Sequence, residues 1–322
     1  MNKNLFRLFS ALLLVTLALS ACGPTAAERP PLKIAFTIWP GNYPIAIAQQ
    51  QGFFAKRGLE VEINNYSADY PQALTDYAAG KTDAVGASMN DLLILLQNRD
   101  SKVVMVQDSS EGVDQLIATD EIQSVADLEG KRIAVDFGTY GEFWVRQILQ
   151  ANGLNETDVQ FKGVPVADVS AMFPEQIDVA HTYEPYTSEA LQDGGHVLMT
   201  SADTTPLLIP SVIAFSAEFV QDRPEDVRAF VAAMFEATDW LYAHESEVPA
   251  VVAQAVNLKP EDIFMGGDRV LTLADNKVLM VPGDDFNSIY YTASEYIKFL
   301  VGINRLTTAP EVEKMIDPSF LP

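Results

Sequence analysis

Twice along this chain, short apolar runs alternate with amphipathic stretches, and no other feature limits its fold as much. Runs of about five apolar residues suit strands covered on both faces, and parallel neighbours need a crossover, usually helical, between them. The first series predicts a strand at Leu32–Thr37, a loop over 38–43, and a helix opening at Pro44. Proline suits the first helical position, and this helix should run towards Lys56 and close at Gly58. A strand at 59–63, a helix from Pro71 to Gly80, a strand at 83–87, an apolar helix through Leu96 and a strand at 102–107 follow. A strand at 115–119 ends the series, and after a short helix from Ser124 to Gly130 the alternation restarts. Strands are expected at 132–136, 159–163, 178–182 and 196–200, with helices at 142–152, 168–173 and 184–192 between them. An apolar strand at 211–216 leads into a mainly helical ending. Val227, Phe230, Val231, Met234, Thr238 and Leu241 mark the core face of a long helix over 224–244. Shorter helices around 248–256 and 260–265, an aromatic-rich helix over 285–302 and a surface tail at 316–321 complete the chain. The α/β reading is therefore two Rossmann-like lobes with a cleft between them, joined by crossover strands near 112–119 and 209–216.

The chain's beginning constrains where such a body works. Lys3 and Arg7 precede an uncharged apolar run from Leu8 to Leu19, short for a membrane span but suited to a secretory signal. Small residues, Ser20 and Ala21, come next, and then the sole cysteine, Cys22. The run Leu19-Ser20-Ala21-Cys22 resembles the lipobox of bacterial lipoproteins. The resemblance implies that 1–21 is a signal peptide and that Cys22 is acylated, with palmitate among the acyl chains. Residues 22–31, small and polar, read as a linker. The body would then be extracytoplasmic, in the periplasm or on the cell surface, anchored to the membrane through its N-terminal lipid. The 322 residues carry a net charge of −23, which excludes nucleic acid as a partner and gives no hold on anionic lipid. A single cysteine leaves no intramolecular disulfide, so the core must stabilise the fold unaided.

Five stretches in order resemble the extracytoplasmic solute-binding proteins of ABC importers, in the branch with sulfonate, taurine, nitrate and thiamine-pyrimidine binders. The first is Gln51-Gly52-Phe53-Phe54-Ala55-Lys56-Arg57-Gly58-Leu59. The second runs from Leu74 to Ala84 through Gly80 and Asp83, and the third is Asp127-Leu128-Glu129-Gly130-Lys131-Arg132-Ile133-Ala134. The last two are Gln176-Ile177-Asp178-Val179-Ala180 and Tyr183-Glu184-Pro185, where Tyr183 replaces the usual Trp. The resemblance implies the type II periplasmic-binding-protein fold, with lobe 1 built from both chain ends (32–115 and 212–322) and lobe 2 from the middle (116–211), and a monomer that closes its lobes over a small-molecule ligand. It also implies delivery of that ligand to an ABC permease driven by a separate ATPase.

In open α/β sheets, ligands bind outside the carboxyl ends of the strands, so the loops there supply the candidates. Trp39, Asn42 and Tyr43 could stack a flat ligand or fence an apolar one, although Trp39 could equally cap the core. Ser88 and Asn90 open a helix whose N–H groups could hold an anion, or Ser88 could simply cap it. Ser110 and Asp114 flank the first crossover. Gly138, Thr139 and Tyr140 form a turn whose glycine lets backbone approach a ligand. Tyr183 and Glu184 take the cleft position by resemblance, while Pro185 reads as local structure rather than a contact. Asp91, Asp114, Asp136, Glu142 and Glu184 crowd these loops, with Arg146 the nearest basic residue. That balance favours a small nitrogenous ligand, such as a thiamine-type pyrimidine, over sulfonate, taurine or nitrate.

Enzyme readings fare less well. Gly80-Lys81-Thr82 ends like a P-loop, but Thr75 stands where its first glycine belongs. His181, His196 and His244 lack metal-ligand spacing, and no GxSxG elbow occurs. No cofactor and no catalytic residue is expected. The alternatives are an enzyme of the related pyrimidine-synthase-like branch, whose cysteine-rich motif this chain lacks, and a sensory binding module.

Overall fold

The computed structural model describes residues 29–67, 69–205 and 207–322, so the signal segment and Cys22 lie outside the described residues. The first sheet begins with β1 (Leu32–Thr37), and a 3-10 turn leads into α1 (Tyr43–Gln50). There follow β2 (Val61–Ser67), α2 (Tyr70–Ala78), β3 (Ala84–Ser88), α3 (Met89–Leu95) and β4 (Ser101–Ser110). The chain then crosses to β5 (Gln115–Ala118), β6 (Arg132–Val135), α4 (Tyr140–Ala151), β7 (Gln160–Gly163), β8 (Val179–Thr182), α5 (Tyr186–Ala190) and β9 (His196–Thr200). It returns through β10 (Pro210–Ser216), α6 (Ala217–Asp222), α7 (Pro224–Ala243) and α8 (Val248–Val256). Last come β11 (Asp268–Val270), α9 (Leu273–Leu279), α10 (Ile289–Gly302) and α11 (Val312–Met315).

These strands form a six-stranded sheet, β11-β4-β10-β3-β1-β2, and a five-stranded sheet, β7-β6-β8-β5-β9. β1 pairs in parallel with β2 and β3, and β6 with β7 and β8. β5 and β10, which follow the two crossings, run antiparallel to both of their neighbours. The reason is topological. With no helix to carry it back, a strand arriving directly from the other sheet enters at the carboxyl edge and must run the opposite way. The crossing segments are 111–114 and 201–209, so Gln115 already belongs to the second sheet and Pro210 and Ser211 to the first. Ser201 ties the two crossings together. Its hydroxyl lies 2.7 Å from that of Ser110 and accepts from Gly112 N–H at 2.6 Å, and its own N–H donates to Asp114 C=O at 2.8 Å.

Alternation along the strands sets the core. Leu32, Ile34 and Phe36 of β1 and Ile213 and Phe215 of β10 pack with Phe230, Val231 and Met234 of α7. Ala35, Val212 and Ala214 face the other way, towards Tyr77, Leu92, Ile289 and Tyr296. This second cluster continues into the other sheet through Phe143, whose ring stacks on Tyr296 at 3.9 Å.

Several sequence expectations need correction. The helix expected from Pro44 to Lys56 ends at Gln50, because Gly52 takes a φ of +72°, and a separate 3-10 turn spans Ala55–Arg57. The 285–302 helix starts at Ile289, since Asp285 accepts from the Asn287 and Ser288 amides in a turn of its own. The 316–321 tail is not a surface strip. Ile316 bridges to Val103 and is 3% exposed, while Phe320 is buried under the Arg228 guanidinium. Helices α6 and α9 and strand β11 were not expected at all.

Candidate ligand-binding cleft

A cavity of about 790 Å³ opens between the carboxyl edges of the two sheets, and residues of both line it. That volume suits a small organic molecule. Its floor is built where β1 and β4 end. Thr37, Ile38, Trp39 and Asn42 come from the loop after β1, and Gln107, Asp108 and Ser110 from the end of β4. Trp39 donates its indole N–H to Asp108 Oδ2 at 3.1 Å. Gly41 must be glycine, for a Cβ there would fall 1.6 Å from the same oxygen. Ser211 N–H donates to Asp108 Oδ1 at 3.2 Å, and Gln107 Nε2 to Oδ2 at 3.3 Å. Burial nevertheless dominates and pushes the Asp108 carboxyl up to about 6.

The walls are aromatic. Trp39, Tyr70, Tyr140, Tyr183, Tyr186 and Phe264 all line the cavity, with Tyr183 and Tyr186 in edge contact at 5.6 Å. Burial pushes the Tyr183 phenol up to about 12 and holds Tyr70 and Tyr140 well above the usual range, so all three stay neutral donors. Among the described lining residues none is Lys, Arg or His, whereas Asp108, Asp114 and Glu184 are acidic.

Two of the helices that begin beside the cleft, α3 and α4, already carry their own anion, whereas α1 has no acidic residue in its first turn. At α3, Ser88 Oγ accepts from Asp91 N–H at 3.1 Å and donates to Asp91 Oδ2 at 2.7 Å, and Tyr70 O–H donates to the same carboxylate at 2.9 Å. At α4, Glu142 Oε2 accepts from Gly138 N–H at 2.7 Å while its Oε1 binds Arg146. The partial positive charge of these two helix starts is thus met by a side chain of the helix's own first turn.

Of the candidate residues, Trp39, Asn42, Ser88, Ser110, Asp114, Tyr140, Tyr183 and Glu184 line the cavity, and Pro185, read above as local structure, lines it too. Four candidates do not line it. Tyr43 lies on the core face of α1, fully buried, and donates its O–H to Phe264 C=O at 2.8 Å. Asn90 is turned inward and spans to the second sheet's side, donating to Gly138 C=O at 3.3 Å. Gly138 packs against Arg305, and Thr139 turns its hydroxyl back to Asp136 C=O at 2.7 Å. Of the five acids placed near the loops, Asp91, Asp136 and Glu142 fall outside the lining, and Arg146 is bound to Glu142 and Glu156. Gln107, Asp108, Tyr70, Tyr186 and Phe264 were missed. For Gln107 and Asp108 the available signal was a buried strand ending in polar residues, Gln107-Asp108-Ser109-Ser110. Asp114 meets His181 Nε2 at 2.8 Å, with both side chains buried.

Two mixed sheets with exchanged middle strands and a cleft at their shared carboxyl edges define a solute-binding body of the type II periplasmic class. The chain belongs to the NMT1/THI5 like family, whose pattern it matches over residues 39–248. A protein of Brucella abortus bearing the name of a binding protein is 30% identical over 265 residues, covering 80% of this chain and 82% of that one. A Haemophilus influenzae protein named for thiamine biosynthesis is 24% identical over 262 residues, 76% of this chain and 78% of its own length. Among solved structures, the periplasmic aliphatic sulphonate binding protein SsuA from Escherichia coli superposes with a TM-score of 0.70 at 18% identity, covering 90% of this chain and 92% of that one. The desulfurization enzyme DSZB has the same fold, with a TM-score of 0.62 at 16% identity over 91% of this chain and 98% of its own.

Proposed function

We propose that this chain is the lipid-anchored solute-binding component of an ABC import system, and that its ligand is a small nitrogenous compound such as a thiamine-type pyrimidine. The observation that carries the reading is the lining of the cleft: aromatic walls, three carboxylates, and no Lys, Arg or His among the described lining residues. An amino-substituted ring meets such a surface with its faces on the aromatics and its N–H groups on the acceptors. The name of the Haemophilus relative supports this choice. The sulphonate-binding relative of known structure supports an oxyanion instead, but two of the helix starts beside the cleft are already met by Asp91 and Glu142, which leaves α1 without an acidic first turn. The two lobes, read from the sequence as 32–115 with 212–322 and as 116–211, exchange between the sheets at 111–114 and 201–209 and close as a monomer over the ligand. The lipobox resemblance at Cys22 supports an extracytoplasmic body tethered beside its permease, where the tether raises its local concentration. The relatives named as binding proteins support binding without turnover, with the desulfurization enzyme DSZB of the same fold as the counter-example.

The test is a thermal-shift panel with the mature chain, read alongside Trp39 fluorescence. A 4-amino-2-methylpyrimidine should raise the melting temperature and change the fluorescence, while methanesulfonate, taurine, nitrate and bicarbonate should not. A response to the oxyanions alone would overturn the ligand reading. Conversion of a bound pyrimidine to product by purified protein would overturn the receptor reading.

A further inference from the structure

The floor of the cleft holds acceptors in excess of donors. Asn42 is fixed by donating both to Thr37 Oγ1 at 3.0 Å and to Thr37 C=O at 3.3 Å, which turns its Oδ1 towards Gly86. That oxygen is buried and has no partner. Gln107 spends its Nε2 on Asp108, leaving its buried Oε1 unpartnered over the same glycine. A Cβ on Gly86 would fall 2.3 Å from the Asn42 oxygen and 2.9 Å from the Gln107 oxygen, so both crowd one point of the lining. Beside them, β11 aligns Asp268 with Ser110 and Val270 with Asp108, which places Asp268 on the same face as Asp108. Both Asp268 oxygens are buried and lack partners at hydrogen-bond geometry, and the Gly41 amide offsets that burial only in part.

Leaving so many buried acceptors unmatched is costly unless a donor arrives. We propose that this niche, formed by Asn42, Gln107, Asp108 and Asp268, binds a protonated nitrogen of the ligand, an amidinium or ammonium end, and gives up a proton to solvent as the cation enters. The inference rests on the receptor reading above and sharpens it: the ligand enters cation first, its flat part remaining among the aromatic walls. The proton comes from the acidic floor. Asp108 keeps its proton to about pH 6, and Asp268, facing Asp108, Asp114 and Glu111, keeps its own well above the ordinary carboxylate range. The other charged groups around the niche do not supply a counter-cation. Asp114 is joined to His181, Arg269 is held by Glu111 and Asp275, and the Tyr43 phenol is kept neutral by burial.

Isothermal titration of the mature chain with benzamidine, benzamide and benzenesulfonate separates cation, neutral and anion on one ring. Benzamidine should bind at least tenfold more tightly than benzamide, and benzenesulfonate should not bind. Benzamidine affinity should fall about tenfold from pH 7 to pH 5, as Asp108 protonates with a value of about 6. Buffers of different ionisation enthalpy should report proton release at pH 5. Asp108→Asn should weaken benzamidine at least tenfold and flatten the pH profile. Asp268→Asn, which removes an acceptor of the niche, should weaken benzamidine at pH 7 as well while leaving the acid loss centred near pH 6, where Asp108 titrates. A merely structural aspartate would not separate affinity from the pH profile in this way. No benzamidine binding at millimolar concentration, or equal binding in Asp108→Asn, overturns the niche. If aminopyrimidines bind in the same titrations, the receptor reading survives that failure, and if they too fail, both fall.

Discussion

Replacing Asn276 with Ala should unfold this protein more readily than its small size suggests. Strand β11 ends at Val270, so β4 loses its neighbour just where Val106 still has an N–H and a C=O to satisfy. Asn276, fully buried on α9, acts as the missing strand. Its Oδ1 accepts from Val106 N–H at 2.8 Å, and its Nδ2 donates to Val106 C=O at 2.9 Å and to Thr272 C=O at 3.1 Å. Truncation leaves both Val106 groups buried and unmatched at about 1–3 kcal/mol each, so the expected loss is about 4 kcal/mol. For a chain of this size that corresponds to about 6 °C in melting temperature. Urea unfolding followed by far-ultraviolet circular dichroism measures it, provided the slope with denaturant matches the parent. Asn276→Asp should be at least as damaging, because it sets a carboxylate oxygen against the Val106 carbonyl. A loss below about 1 kcal/mol for Asn276→Ala would refute the reasoning, since water would then be replacing the side chain. The same strand carries Gln107 and Asp108, so ligand affinity should weaken along with stability.

Gly86→Ala would place a methyl group 2.3 Å from Asn42 Oδ1; both amides must move, and titration should find ligand affinity reduced at least tenfold with the fold retained. Asp108 titrates near 6 in the folded chain against 3.8 ordinarily, so the folded state holds the extra proton between these values, and stability falls on its account as pH rises from 4 to 7. Asp108→Asn should remove that component, shifting the stability difference between pH 4 and pH 7 by ~2 kcal/mol in favour of pH 7; an unchanged difference in paired urea melts would refute the burial argument. Cys22→Ser should release the protein from the membrane fraction without changing solution affinity, and lost affinity would contradict an anchor separate from the binding body.

Much of the architecture was legible because buried strands declare themselves by composition. Leu32–Thr37 and Pro210–Ser216 are largely apolar runs with turn residues near them, and their neighbours add little to that description. The residues that were misread depend on distant partners. Residues 266–269, Gly-Gly-Asp-Arg, carry no apolar alternation; β11 exists because the edge of β4 lies open beside it. Apolar periodicity stops at Val106 and ends the expected strand at Gln107, yet pairing with β10 and β11 extends β4 to Ser110 and delivers Asp108 to the cleft. Tyr43 sits next to a lining residue, Asn42, but the first turn of α1 rotates it into the core. Phe320 reads as a tail residue until Arg228, far back on α7, is placed over its ring.

Ser201 holds the way out of the first sheet and the way back within hydrogen-bond reach of each other. Seen from that sheet, everything from β5 to β9 is a cassette whose two ends meet at one serine. A segment attached in this manner demands little of its host beyond a fixed junction, because its ends need not span any distance. A lineage could therefore exchange one wall of the cleft as a unit while the floor, held by β1 and β4, stays in place. Ligand preference would then change by inheritance of a whole wall rather than by point substitutions, with the serine junction as the seam.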